Sequence, residues 1–289
     1  MSLPPRILII AGSDSGGGAG IQADIKTVTA LGGYAMTAIT AVTVQDTTGV
    51  HGFHAVPPNV VADQIRVTLS DIGADAIKTG MLVSAAHVNA IADALEKFSS
   101  PVYGGGGSPL LQRDGGALSA IPLVVDTVMI AKGGTALLDS AGVEAMKRRL
   151  FPLATLITPN APEAAALTGI AVNTPGDAAR SGAMLREQGV RAVLVKGGHL
   201  SGDTVTDVLV DETGVHWFTS PRLNNPATHG TGCTLASAIA TGLARGMALR
   251  DAIEGGRLFV QEAIRTGLPF GRGVGPVNHL HGKRIANSE

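Results

Sequence analysis

The sequence predicts an α/β fold, with a mostly parallel central sheet and helices on both faces. Three observations carry that expectation. Runs such as RILIIAG, LVVD and AVLVK are continuously apolar, as strands buried on both faces must be. They alternate with longer stretches of helical period. Each run stops at a glycine or a polar residue, as strands running into loops do. At 289 residues the chain is within the range of one large α/β unit. We read residues 1–289 as a single domain.

Composition narrows the class. Hydrophobic residues make up 45% and charged residues 16%, which supplies a large core and argues against disorder. A net charge of −1 leaves no electrostatic footprint for nucleic acid or an anionic membrane. Aromatics at 3% leave few stacking platforms for single strands. One cysteine excludes an intramolecular disulfide and a Cys-based zinc site, and it suits a reducing compartment. No apolar stretch is long enough to span a bilayer, and MSLPPRILIIAG reads as a first strand and not a signal peptide. The expectation is a soluble, cytoplasmic enzyme with no nucleic-acid or membrane partner.

Residues 6–12 form the first strand. The loop SDSGGGAG follows, then a helix over 21–31 with Ile21, Ile25, Val28 and Leu31 on one face. Strand, glycine loop and helix invite a dinucleotide reading, and the spacing refuses it. G-x-G-x-x-G from Gly16 or Gly18 requires glycine at Ile21 or Ala23, and Lys26-Thr27 follows Ile25 where a Walker A motif needs glycine. The loop either brings backbone close to a small ligand or is a flexible turn. Residues 34–44 read as a second long strand with Gln45 near its end. A glutamine there can bond a heteroaromatic amine and ring nitrogen together, or serve as a solvated turn residue. A helix over 58–69, a strand over 75–80 and an amphipathic helix over 84–98 follow. Residues 99–122 then break the rhythm with Ser, Pro and Gly, including four successive glycines at 104–107. An insertion loop at about 101–120 fits, and the strand–helix rhythm resumes unchanged after it.

Strands over 123–126, 156–158 and 192–196 bring Asp126, Asn160, Glu163 and Lys196 to their carboxyl ends, with a helix over 164–167. In an open parallel sheet those ends share one edge, where ligands bind. Two carboxylates, an amide and an ammonium gathered there suit magnesium and a polyphosphate. Each alone would be a cap or turn residue. Residues 206–210 and 215–220 read as an antiparallel hairpin on the sheet edge, and 249–265 as a helix. His279 and His281 have no further His or Cys nearby in sequence and read as turn or interface residues.

The stretch NPATHGTGCTLASAIATGL organises the rest. Gly230, Thr231, Gly232 and Cys233 open directly into an Ala-rich helix. The first N–H groups of a helix lack internal partners, its dipole favours negative charge, and small residues let an anion approach. Cys233 sits where that field would lower a thiol pKa. The plain alternative is a tight loop into a buried helix carrying a core cysteine.

SDSGGGAGIQADIKT, TVQDTTGV, KTGML, VVDTVMIAKGG, LITPNAPEAAALTG, VLVKGGH, HGTGCTLASAIA and GVGPVNHLH occur in this order. Through them, over nearly its whole length, the chain resembles the hydroxymethylpyrimidine/phosphomethylpyrimidine kinases of thiamine biosynthesis, of the ribokinase-like superfamily. Only the insertion at 101–120 has no counterpart. Smaller departures are Gln45-Asp46 for the commoner Gln-Asn, Asp126-Thr127 for Asp-Pro, and Gly271-Arg272-Gly273 for Gly-His-Gly. The resemblance implies a three-layer α/β/α ribokinase-like fold, ATP as co-substrate with Mg2+, and a homodimer. It implies phosphorylation of 4-amino-5-hydroxymethyl-2-methylpyrimidine and then of its monophosphate. By motif match, Gln45 would hold the amino group and ring nitrogen of the pyrimidine, in a pocket lined by Asp24, Gly12 and Val128. Asp126 and Glu163 would serve the metal, and Lys196 and Asn160 the nucleotide phosphates. Gly230, Thr231, Gly232 and Cys233 would form the catalytic anion hole, with Cys233 a candidate base where most of the superfamily has Asp. Three rivals stand beside it: a pyridoxal kinase, a non-catalytic pyrimidine-binding sensor, and a sugar kinase of the same fold, against which Cys233 and Gln45 speak. The sensor predicts loss of Lys196, Asp126 or the loop at 230–233, and all are present.

Overall fold

Ile7, Leu8, Ile9 and Ile10 are all fully buried, as a strand covered on both faces requires. The structure, a computed structural model, describes residues 3–99, 121–130 and 134–282. The insertion expected at 101–120 lies outside the described residues. In chain order the strands are β1 (Arg6–Ala11), β2 (Tyr34–Ile39), β3 (Ala41–Asp46), β4 (Gly49–Ala55), β5 (Ala76–Thr79), β6 (Leu123–Val125), β7 (Leu156–Ile157), β8 (Val193–Val195), β9 (Thr204–Asp211) and β10 (Gly214–Pro221). The helices are α1 (Gly20–Ala30), α2 (Pro58–Asp71), α3 (Ala85–Ser99), α4 (Ser140–Arg149), α5 (Ala161–Thr168), α6 (Pro175–Glu187), α7 (Thr231–Ala244) and α8 (Leu249–Arg265).

One sheet of eight strands runs in the order β10-β9-β8-β7-β6-β5-β1-β2. From β2 to β8 every pairing is parallel, and β9 and β10 close the far edge as the expected antiparallel hairpin. Side chains alternate across the sheet. Leu8 and Ile10 join a core with α2, α3, α4, α5 and α6, while Ile7, Ile9 and Ala11 join one with α1, α7 and α8. This is the three-layer α/β/α arrangement that the sequence leads one to expect.

The run at 34–44 is not one strand. It divides at Thr40, which is fully buried and bonded to three separate segments. Its N–H donates to Ala11 O, its hydroxyl to Met81 O, and its carbonyl accepts Val56 N–H. Beyond it, β3 leaves the main sheet and pairs antiparallel with β4 in a sheet of two strands. Asp46 closes their turn by accepting the N–H groups of Thr48 and Gly49. Gln45 therefore lies on β3, one residue before its last, near a strand end as expected.

The helix expected at 164–167 begins earlier, at Ala161. Pro162 suits a first helical turn, and Asn160 and Glu163 form a capping box. Asn160 Oδ1 accepts Glu163 N–H at 2.9 Å, and Glu163 Oε2 accepts Asn160 N–H at 2.8 Å. The plain reading of these two residues as caps is thus correct, whatever else they do.

One strand carries a charge the core must neutralise. Lys78 of β5 is fully buried, and its Nζ lies 2.9 Å from each oxygen of the equally buried Asp24 of α1. Ser237 of α7 donates to Asp24 Oδ1 at 2.6 Å. The bond joins α1, β5 and α7, on the face where these helices cover the sheet. Breaking a buried pair from one side strands the other charge. Lys78→Met is therefore expected to lower unfolding stability by about 3–5 kcal/mol in denaturant titrations. The double variant Lys78→Met/Asp24→Leu should regain most of that loss, and a single variant as stable as wild type would refute the pairing.

Candidate active site

The strand ends deliver the expected residues to one edge. β1 stops at Ala11, β6 at Val125 and β8 at Val195, so Gly12, Asp126 and Lys196 each follow a carboxyl end directly. Lys196 Nζ donates to Asp126 Oδ1 at 2.8 Å, and the Thr158 hydroxyl donates to the same oxygen at 3.1 Å. Burial opposes the Asp126 carboxylate, but Lys196 and then Lys78 outweigh it and hold its pKa below the usual range. Lys196 is likewise raised, because Asp126 and Glu163 outweigh its burial, so its ammonium is charged at neutral pH. Glu163 stands at the margin of this group. Its Oε2 accepts from the Thr127 hydroxyl at 3.0 Å, and burial, opposed by Lys196, raises its pKa.

The loop after β8 is fastened from behind. Gly197 N–H donates to Asp207 Oδ1 at 2.7 Å, and Arg257 Nε donates to Asp207 Oδ2 at 2.7 Å. Arg222 donates to the carbonyls of Gly198, Leu200 and Gly202. Two guanidinium groups thus hold the chain that carries Lys196.

Two glycine loops meet above this edge. Asp14, only 1% exposed, accepts the N–H groups of Gly16, Gly18 and Ala19 and curls the first loop around its carboxylate. Gly230 caps α7 in the left-handed region at φ +86°, and a Cβ there would collide with Gly18 O. The Thr234 hydroxyl donates to Gly230 O at 2.8 Å, so His279 Nε2, 2.9 Å away, must donate to that hydroxyl. Burial pushes His279 down to about 4 and keeps it neutral. Gly232 faces the ion pair. A Cβ built on it would stand 3.4 Å from Lys196 Nζ and 3.8 Å from Asp126 Oδ2.

Cys233 corrects one expectation. The field at the helix N-terminus was expected to lower its thiol pKa, yet the thiol is pushed up to about 11. Burial is the largest cause; Lys78 opposes it, and the carboxylates Asp24 and Asp126 add to it. A dipole at half a unit charge does not outweigh desolvation with two anions nearby.

The other expected residues fall into two groups. Gly12 approaches Met81 and Ala41, and Val128 packs with the same Met81–Ala41 cluster. Gln45 lies farther along β3, tied by Ser15 Oγ to both its N–H and its carbonyl. Asp24 is wholly covered, and both its oxygens are engaged by Lys78 and Ser237. Sequence reasoning missed Lys78, Asp14 and His229. A lysine inside the apolar run DAIKTG was a usable signal, since buried charge demands a partner.

An open helix N-terminus above a lysine–carboxylate pair, at the carboxyl edge of a mostly parallel sheet, has the donors that a phosphotransferase directs at a transferred phosphoryl group. The chain belongs to the phosphomethylpyrimidine kinase family, whose family model matches residues 14–103 and 111–278. It is 46% identical over 276 residues to the hydroxymethylpyrimidine/phosphomethylpyrimidine kinase of Streptomyces coelicolor, covering 96% of this chain and 94% of that protein. It is 49% identical over 275 residues to the thiamine biosynthesis bifunctional protein ThiED of Geobacter sulfurreducens. That match covers 95% of this chain, which spans about half (52%) of that longer protein. A pyridoxal kinase from Staphylococcus aureus in complex with ADP superposes with a TM-score of 0.84 at 33% identity, over 98% of this chain and 96% of that one.

Because Cys233 is the only cysteine, alkylation reads its thiol directly. With the pKa near 11, iodoacetamide at pH 8 should label the unliganded protein at least about tenfold more slowly than a free thiol of ordinary pKa. The rate should climb with pH beyond 10, as thiolate forms only there. A labelling pKa below that of free cysteine would show that the helix field prevails.

Proposed function

We propose that this chain is an ATP-dependent kinase that phosphorylates 4-amino-5-hydroxymethyl-2-methylpyrimidine and then its monophosphate, giving the diphosphate in thiamine biosynthesis. One observation carries the reading: the open face of Gly232 lies against Lys196 Nζ and Asp126 Oδ2. A phosphoryl group held there meets unpaired backbone N–H groups, the positive end of α7 and an ammonium at once. Membership in the family supplies the acceptor, a hydroxymethylpyrimidine.

The roles follow from the chemistry. Lys196 neutralises charge on the transferred group, and the backbone of Gly230, Thr231, Gly232 and Cys233 receives it. Asn160 Oδ1 is engaged as a cap, which leaves its Nδ2 as a donor for phosphate. Gln45 reads the ring, and Gly12 and Val128 line its pocket. Asp24, expected to line that pocket, is fully buried against Lys78 and Ser237 and would act on the site only through them. Mg2+ keeps most of its water and takes one or two carboxylates plus phosphates, and Asp126 Oδ2 and Glu163 Oε1 suit it. Among the described residues no group of three His, Cys, Asp or Glu could hold a metal alone, so phosphate oxygens of the nucleotide would have to supply further ligands. When bound, the metal would neutralise developing phosphoryl charge. Cys233 rests as a neutral thiol. The loose transition state asks little of a base, so positioning and charge stabilisation carry more of the rate than this thiol does.

We read the protein as one domain working as a cytoplasmic homodimer. The free thiol suits a reducing compartment, and among the described residues no helix is long and apolar enough to cross a membrane. A pyridoxal kinase is the second reading, favoured by the close superposition on the S. aureus enzyme.

ATP consumption with Mg2+ is to be measured on the hydroxymethylpyrimidine, its monophosphate and pyridoxal in parallel. Turnover of both pyrimidines is expected, and turnover of pyridoxal alone would move the function to vitamin B6 salvage. Gly232→Ala puts a methyl group 3.4 Å from Lys196 Nζ, where the anion sits. It should cut kcat/KM by about 100-fold or more with an unchanged melting temperature, the scale of losing oxyanion donors. Wild-type turnover in that variant would remove the anion site from this place.

A further inference from the structure

Beside the first glycine loop, two hydrogen-bond donors face one another. His229 Nε2 lies 2.9 Å from Asp14 Oδ2 and 3.3 Å from Gln45 Nε2. Asp14 already accepts three backbone N–H groups, and although burial opposes its charge, His229 and Ala19 hold its pKa below the usual range. An ionised carboxylate only accepts, so His229 Nε2 must carry a hydrogen. An amide NH2 set 3.3 Å from that N–H is donor against donor. The conflict disappears when the Gln45 amide is turned by half a rotation, because its oxygen and nitrogen occupy nearly the same space. Gln45 Oε1 then shares, as the longer and weaker acceptor, the one hydrogen that His229 Nε2 gives to Asp14, and Gln45 Nε2 is turned away from it.

Nothing else bonded to Gln45 makes this choice. Its backbone N–H and carbonyl are both tied to Ser15 Oγ, at 2.8 and 2.6 Å, and the register shifts between Val44 and Gln45. These contacts fix where the side chain starts and leave the amide flip to its far end. Among the described residues its side-chain partner there is His229, which sits directly before the Gly230 cap and whose ring a Cβ on Gly18 would meet.

We propose that His229, held by Asp14, is the specificity-determining residue that fixes the flip of the Gln45 amide. The fixed amide selects a ring edge carrying an acceptor nitrogen beside an amino donor over the inverse pattern. The inference rests on the kinase reading above. In the fixed flip, Oε1 keeps one lone pair for the ring's amino group while Nε2 donates to the adjacent ring nitrogen. A 4-oxopyrimidine reverses both partners, setting carbonyl against Oε1 and N–H against Nε2. Sites built on such bonds reject the mismatched analogue by factors of about 10⁴, because their own polar groups are left unpaired.

The test compares kcat/KM for the 4-amino substrate and its 4-oxo analogue in wild type, His229→Gln and His229→Met. Glutamine returns a donor near Nε2; methionine fills similar space with none. Wild type should prefer the amino ring by about 10³-fold or more. His229→Gln should stay within about tenfold of that preference. In His229→Met it should fall below about tenfold, through a higher KM for the amino ring and a gain for the oxo ring. An equal preference in folded His229→Met, or equal loss in both variants, overturns the proposal. Nitrogen-15 histidine spectra of the wild-type protein test it without substitution: a hydrogen on His229 Nε2 is expected, and a neutral ring protonated only on Nδ1 overturns it. If wild type turns over neither pyrimidine while the spectra show that hydrogen, the kinase reading fails for its own reason and not through His229.

Discussion

Charge alternates along a buried row from Asp24 through Lys78, Asp126 and Lys196 to Glu163, and the first turn of α7 rests on it. The members come from α1, from β5, from the ends of β6 and β8, and from the capping box of α5. Each is tied to the next by a direct bond or by its field. A buried charge is tolerable only when paired, so no element of the row can shift without exposing its neighbour's charge to apolar surroundings. Three carboxylates against two ammonium groups leave the row short of positive charge. The raised pKa of Glu163 and the helix terminus above Asp126 both answer that shortage. A thiol placed there holds its proton chiefly because it is desolvated, with Asp24 and Asp126 adding to that against Lys78.

The sheet was legible because burial on both faces leaves a plain mark in composition. Every apolar run except one became a strand of the main sheet, and α8 spans the residues its pattern marks. The exception, 34–44, fails for a physical reason. Ala, Thr and Val serve a wide sheet and a two-stranded flap equally well, and the break at Thr40 is made by bonds to Ala11, Met81 and Val56. Two helices, α4 and α6, went unread. For α6 the mark was present, since Thr174 and Asp177 form a capping box at its start. For α4 a mark was present as well, since Asp139 caps its start and Gly142, Ala145 and Met146 form a short buried stripe, though the stretch is otherwise polar.

The site was legible where it depended on position along a strand and illegible where it depended on who meets whom. Asp126 and Lys196 follow from strand ends alone. The partnership of Lys78 with Asp24, or of Asp14 with His229, joins residues far apart in the chain, and no local period records it. Cys233 shows the same division. The helix N-terminus is visible in sequence and argues for an acidic thiol. The desolvation of the thiol and the carboxylates near it are visible only in the fold, and they win.

The distances along the chain have a consequence for synthesis. Asp14 and His229 are separated by 215 residues, Asp24 and Ser237 by 213, and Thr47 and Gly273 by 226. The first glycine loop meets its partner loop only once the chain has reached His229, 215 residues beyond Asp14. Until then Asp24 and Lys78 lack α7 as a cover, and the N-terminal strands have half of one face open. Closure of such distant contacts is slow relative to helix formation. Between the making of the first glycine loop and of α7 the nascent segment is an unfinished layer, and it gains its anion site and the cover of its buried charges in the same event.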